Sequence, residues 1–190
     1  MWAYVEGIRN RHTAAGKVGP TLVTASSTLK RIRFWIGIFI VCLLLSGITA
    51  FPLTSELVWV SAALDSWLAP VADMIPALES WIDRVAAALR DVSERYPFLH
   101  YGTDWLAFAH IVIAVAFYGP FQDPVRNKWV IDWGLIACVG IIPLALIAGP
   151  LREIPWGWML FDISFGVIGA IPLLYIRHLI GRLERTTQES

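Results

Sequence analysis

The sequence predicts an all-α membrane protein with four transmembrane helices and an extracytoplasmic amphipathic helical segment between the first and second. Three observations carry that prediction. Of the 190 residues 57% are apolar and ten are tryptophan, and the mean hydropathy is +0.61, which suits a polytopic membrane chain and not a soluble domain. Four apolar stretches each reach the ~20 residues that cross about 30 Å of hydrocarbon as a helix. Between the first two, apolar residues recur at helical spacing against a charged opposite face. Fifteen Lys and Arg balance fifteen Asp and Glu, so no basic excess points to a nucleic-acid partner. The placement of the charges carries the information.

Residues 1–33 are polar and mildly basic, with Arg9, Arg11, Lys17, Lys30, Arg31 and Arg33 and a Gly19-Pro20 break. They read as a cytoplasmic lead-in. Trp2, Tyr4, Val5 and Ile8 beside Arg9 and Arg11 suit either a short amphipathic helix on an anionic leaflet or a loosely ordered tail. Residues 34–53 are apolar and uncharged and give the first transmembrane helix. The run exceeds the ~7–15-residue core of a signal peptide, so an uncleaved helix is expected.

In residues 54–100, Leu57, Val60, Leu64, Trp67 and Leu68 share a helical spacing up to Pro70. After Pro76 the same spacing links Leu78, Ile82, Val85, Leu89, Val92 and Tyr96, with Asp83, Arg84, Arg90, Asp91 and Glu94 opposite. Such a helix needs a surface to cover. The bilayer interface, the end of the bundle, or a partner bound at Leu78, Ile82, Val85, Leu89 and Val92 would serve.

Residues 101–180 form a three-helix unit with crossings at 103–121, 129–149 and 155–176, and 181–190 is a cytoplasmic tail. Their short connections, 122–128 and 150–154, make the three helices antiparallel neighbours. Gly119-Pro120, Asp123-Pro124 and Gly149-Pro150 mark helix ends, while Pro143 and Pro172 fall inside crossings and are expected to kink them.

Lysine and arginine set the orientation. With the N-terminus inside, Arg9, Arg11, Lys17, Lys30, Arg31, Arg33, Arg126, Lys128, Arg177, Arg182 and Arg185 are cytoplasmic, against Arg84, Arg90, Arg95 and Arg152 outside. That asymmetry favours both termini inside. Trp35, Trp129 and Trp133 then fall at the inner boundary and Trp105, Trp156 and Trp158 at the outer one, as interfacial tryptophans should.

Ionisable groups inside spans are candidate functional residues by default. Asp104 and Asp132 lie near the starts of the second and third crossings, where free N–H groups and the helix dipole favour a carboxylate. Both therefore read as structural groups at the interface, with His100 one turn before Asp104 and Arg152 on the same side. Arg152 is a candidate rim partner for Asp104, with simple solvation as the default. Asp162 lies two turns into the fourth crossing among Leu160, Phe161, Ile163 and Phe165, beyond the reach of the dipole, and requires a compensating partner. Gly166 and Gly169 on its face invite close approach by another helix.

His110 is the natural candidate for that partner. Thr103, Ala107, Ala114 and Phe117 share its face, a small-residue stripe of the kind that packs inward. Both His110 and Asp162 stand about seven residues, roughly 10 Å, below the outer boundary. A His110–Asp162 pair would relay protons, orient the imidazole for a ligand, or lock two helices together.

Cys42 and Cys138 fall mid-span and read as small packing residues, so neither a disulfide nor a metal site is expected. No cofactor is expected either. Haem, the first group a membrane histidine suggests, usually takes two facing histidines, whereas His100 and His178 lie at opposite boundaries and His12 in the tail. HExxH, GxSxG, Walker and CxxC motifs are absent from the sequence.

The blocks Tyr101-Gly-Thr-Asp-Trp-Leu-Ala-Phe-Ala-His110, Asp123-Pro-Val-Arg-Asn-Lys-Trp129 and Ile154-Pro-Trp-Gly-Trp-Met-Leu-Phe-Asp162-Ile-Ser-Phe-Gly166 resemble those of small bacterial inner-membrane proteins to which no activity, cofactor or site is attached. The resemblance spans residues 97–176 and implies a multi-pass protein of the bacterial cytoplasmic membrane. The expected function is a structural or accessory subunit or scaffold, bound to the bilayer and to a second copy or another membrane protein. A proton-coupled or small-solute permeation component built on His110 and Asp162 is the rival expectation. A haem-binding protein or intramembrane enzyme comes third.

Overall fold

A computed structural model describes the backbone of residues 2–70 and 76–188 and the side chains of 25–70, 77 and 79–185. The described chain is all-helical: α1 (Trp2–Ala50), α2 (Leu53–Leu64), α3 (Pro76–Arg95), a 3₁₀ turn (Pro97–His100), α4 (Tyr101–Gln122), α5 (Lys128–Leu151) and α6 (Trp156–Gln188). Four segments are long and apolar enough to cross a bilayer: Ala25–Ala50, Pro97–Gln122, Lys128–Leu151 and Trp156–Arg185. Val115, Ile136, Ile147 and Ile168 are each more than 60% exposed. Large apolar side chains displayed on every spanning helix suit a lipid solvent and not water. The chain is a multi-pass helical membrane protein with a helical hairpin, α2 and α3, between its first two spans.

Helix boundaries depart from the sequence expectation at both ends of the chain. α1 begins at Trp2 and runs through Gly19-Pro20, so the anticipated break there does not interrupt it. A proline removes one backbone donor, and the remaining i→i−4 bonds on either side carry the helix past it. The proposed amphipathic face of Trp2, Tyr4, Val5 and Ile8 lies outside the described side chains. α6 continues past 176 to Gln188, which carries Glu184 on helix instead of in a tail. α5 and α6 also continue through Pro143 and Pro172.

The spans assemble as α4 against α1, α1 against α6, and α6 against α5, with a lighter α4–α5 contact. Their shared core lies toward one end, where Ile32 and Ile36 of α1 meet Phe117 of α4, Val130 and Ile131 of α5, and Leu173, Ile176 and Ile180 of α6. That end also carries Lys30, Arg33, Lys128 and Arg177 and is here termed the basic end; the opposite one is the hairpin end. The stripe expected to turn inward on α4 does so: Ala107, Ala114 and Phe117 are buried. Phe117 also meets the Phe39 ring of α1 at 4.7 Å between centroids.

Two glycines permit the closest approaches. A Cβ on Gly47 of α1 would stand 2.8 Å from the Ala107 carbonyl oxygen of α4, and one on Gly166 of α6 would stand 2.5 Å from the Cys138 carbonyl oxygen of α5. Lipid tails are as apolar as the helix surfaces, so packing of this kind holds membrane helices together where water exclusion does not.

In the hairpin, α3 covers α2. Leu64 and Ile82 form its small core with Leu68 and with Trp158 from α6, and the Trp81 and Trp158 rings lie 6.5 Å apart. Ser61 donates to Asp83 Oδ1 at 2.7 Å. The apolar stripe of α3 is thus turned onto its own chain: Ile82 and Ala86 are buried, and Val85, Leu89 and Val92 are half-buried. The Leu78 side chain lies outside the described residues.

Candidate functional site

At the hairpin end, α5 stops in a turn that brings two charges to one cavity. The Glu153 N–H donates to the Pro150 carbonyl (3.2 Å) and the Ile154 N–H to the Gly149 carbonyl (3.0 Å). This is a Schellman closure, which wants a left-handed residue just past the helix. Glu153 fills that position at φ 57°. Nothing in Leu151-Arg-Glu-Ile-Pro announces the motif, because the usual glycine is missing.

The turn sets Arg152 and Ile154 over a cavity of about 260 Å³ between α5 and α6, whose other walls include Ile141, Ala145, Met159 and Asp162. Asp162 is half-buried there. Arg152 lines the same cavity, but among the described residues no ion pair or hydrogen bond joins it to Asp162, so the compensating partner expected for Asp162 is not in direct contact with it. A cavity of this size lined by a carboxylate and a guanidinium has room for several waters. Arg152 is exposed, in keeping with the solvation taken as its default, and among the described residues no hydrogen bond or ion pair joins it to Asp104.

His110 lies elsewhere. Its Nδ1 donates to the Leu106 carbonyl oxygen one turn earlier at 2.8 Å, which fixes the proton on Nδ1 because a carbonyl only accepts. Its Cβ lies 3.1 Å from where a Cβ on Gly47 would stand, so the residue sits at the α1–α4 seam. Asp162 sits at the α5–α6 cavity. The expected pair is not formed: among the described residues no hydrogen bond or ion pair joins His110 to Asp162. Equal depth brings two residues together only when their helices face each other, and here α1 is the helix that packs along α4.

The remaining polar residues fasten helices. Asp104 stands in the first turn of α4. His100, expected one turn before it on the same face, belongs to the 3₁₀ turn and points to α3, with Nε2 2.8 Å from Ser93 Oγ. That hydroxyl donates to the Leu89 carbonyl at 2.7 Å, so the imidazole supplies the proton to Ser93. Asp132, expected to face free helix N–H groups, instead accepts from Arg177 Nε of α6 at 2.5 Å. One turn earlier Lys128 pairs with Glu184 at 2.8 Å.

Arg33 has a role that the sequence reading missed. From α1 it donates Nε to the Phe121 carbonyl and Nη2 to the Gln122 carbonyl, both at 3.1 Å, and so closes the C-terminus of α4, where orphan carbonyls need donors. Asn127 Nδ2 adds a bond to the Gly119 carbonyl at 3.1 Å. A long-range cap of this kind leaves no spacing signal. Cys138 is buried in the bundle core and both cysteines are free thiols.

No protein-family model, curated protein or solved structure matches this chain.

Among the described residues one grouping has ligand-like spacing: Asp65, Glu79 and Asp83 of the hairpin, with carboxylate oxygens within 4.8 Å of one another. Oxygen donors of this type suit a hard cation. Two of the three are solvent-exposed, and Asp83 already accepts the Ser61 hydroxyl, so the trio is the acidic corner of the hairpin.

Proposed function

We propose that this chain is a non-enzymatic accessory subunit of a bacterial cytoplasmic membrane, with both termini inside and the α2–α3 hairpin outside, docking on another membrane protein through α2. The observation that carries this reading is the division of labour in the hairpin. The apolar stripe of α3 is turned onto α2, whereas Trp59 of α2 keeps 80% exposure and Trp67, in the turn just past it, 75%, with Val60 of α2 also exposed. Aromatic side chains of that kind, held on a fastened helix pair, are the usual anchors of a binding surface. On this reading the partner docks on the α2 side of the hairpin and not on Leu78, Ile82, Val85, Leu89 and Val92 of α3.

A second support is the use made of the polar groups. Arg33, Asn127, Lys128, Asp132, Arg177 and Glu184 fasten helix to helix at the basic end. The orientation follows from the same end, since basic residues near spans are retained on the cytoplasmic side. A proton-coupled permeation role would need His110 and Asp162 to act together, and they sit at different helix seams.

Native mass spectrometry of protein extracted in mild detergent tests the subunit reading. A mass above the 21.2 kDa of one chain, lost when Trp59 and Trp67 are both replaced by serine, is the expected result. A bare monomer from the unaltered protein overturns it. Orientation is read in a cysteine-free background: a cysteine at Glu94 should react with an impermeant maleimide on intact cells, and one at Arg126 only after permeabilisation.

A further inference from the structure

At the basic end, α1 and α4 enclose an open groove of about 620 Å³. Its α1 wall follows a single helical face: Lys30, Arg33, Phe34, Gly37, Ile38, Val41 and Cys42 all line it, and Phe121 of α4 stands opposite. The charges are at one end of this face and the apolar residues occupy the rest. From Lys30 to Cys42 the face runs roughly 18 Å at 1.5 Å per residue, directed from the membrane boundary into the hydrocarbon.

We propose that this groove holds one anionic phospholipid from the leaflet at the basic end. Its phosphate lies between Lys30 and Arg33 and one acyl chain runs along Phe34, Gly37 and Val41. Charge complementarity and length select this occupant. Arg33 is held in place by its bonds to the Phe121 and Gln122 carbonyls through Nε and Nη2, and its remaining N–H groups are available to a phosphate in the same plane. Lys30 is exposed one turn earlier on the same face and adds a second, mobile cation. Gly37 keeps the floor open: a Cβ there would meet only the Phe121 ring edge, at 3.8 Å. A basic pocket between spanning helices that continues into an apolar furrow is the form that anionic headgroup sites take. The inference is independent of the subunit reading and of which leaflet faces the cytoplasm.

The test uses the full chain, delipidated in detergent and titrated with phosphatidylglycerol or with phosphatidylcholine of the same acyl chains, bound lipid being counted by native mass spectrometry. One phosphatidylglycerol should be retained, with at least roughly fivefold preference over phosphatidylcholine at low salt. Lys30→Gln should reduce phosphatidylglycerol binding by about fivefold and leave phosphatidylcholine unchanged. Gly37→Leu should weaken both lipids, because it fills the furrow, and the space around its Cβ lets the variant fold. Arg33 is left intact, since it also closes α4. Equal binding of the two lipids overturns the proposal, as does phosphatidylglycerol binding unaffected by both substitutions. Displacement of the lipid by millimolar inorganic phosphate would assign the cations to a free anion and overturn it too.

Discussion

Arg177 of α6 reaches the carboxylate of Asp132 on α5, Nε to Oδ1 at 2.5 Å, and with Lys128–Glu184 forms a two-rung ladder of opposite polarity across one helix seam. Lys128 and Asp132 are one turn apart on α5, and their partners are two turns apart on α6. The ladder holds those helices in one register.

Both side chains of the Asp132–Arg177 rung are about half exposed, so their coupling is that of a boundary pair, about 0.5–1 kcal/mol and weaker in high salt. A double-mutant cycle with Asp132→Asn and Arg177→Gln, read by thermal unfolding in detergent, should give that coupling. Strictly additive losses would show that the rung does not contribute as a pair.

For His110 and Asp162 the expectation is the reverse. Residues at separate seams with no shared partner add to within about 0.5 kcal/mol. His110→Ala combined with Asp162→Asn should therefore lose no more than the two single losses together. A coupling above about 1 kcal/mol would mean that the two side chains meet, contrary to the helix arrangement described.

Close approach at Gly166 has a direct consequence. Gly166→Leu drives a side chain into the Cys138 backbone and should cost roughly 1–3 kcal/mol, the range for overpacking. Gly140, whose Cβ direction is open, is the control, and Gly140→Ala should be neutral or slightly stabilising. Denaturant titration of both variants in mixed micelles measures the difference; equal midpoints would contradict the packing.

Glu153 occupies a left-handed conformation in the turn that brings Arg152 to the cavity lined by Asp162. A non-glycine residue there costs on the order of 1 kcal/mol, so Glu153→Gly should raise the unfolding midpoint while preserving the Schellman closure. A lowered midpoint would indicate that the Glu153 side chain makes a stabilising contact worth more than the backbone cost.

The sequence by itself determined the membrane class, the existence of four spans and the hairpin between the first two. Long uncharged runs and a switch to helical periodicity are local properties, and a bilayer admits few other ways to satisfy the backbone. It also determined the inward face of α4, because Ala107, Ala114 and Phe117 repeat at helical spacing, and the close approach at Gly166. Tertiary structure alone decided which seams carry the polar residues. Depth along a span can be counted from the sequence, but the angular position of one helix about its neighbour depends on side-chain packing between segments far apart in the chain. That is why His110 met Gly47 instead of Asp162, why Arg152 and Asp162 came to line one cavity, and why Arg33 could be placed on the carbonyls of Phe121 and Gln122 only after α1 and α4 were packed together. The same physics governs the α3 stripe: two amphipathic helices in a hairpin cover each other first, and only their packing reveals what is left exposed.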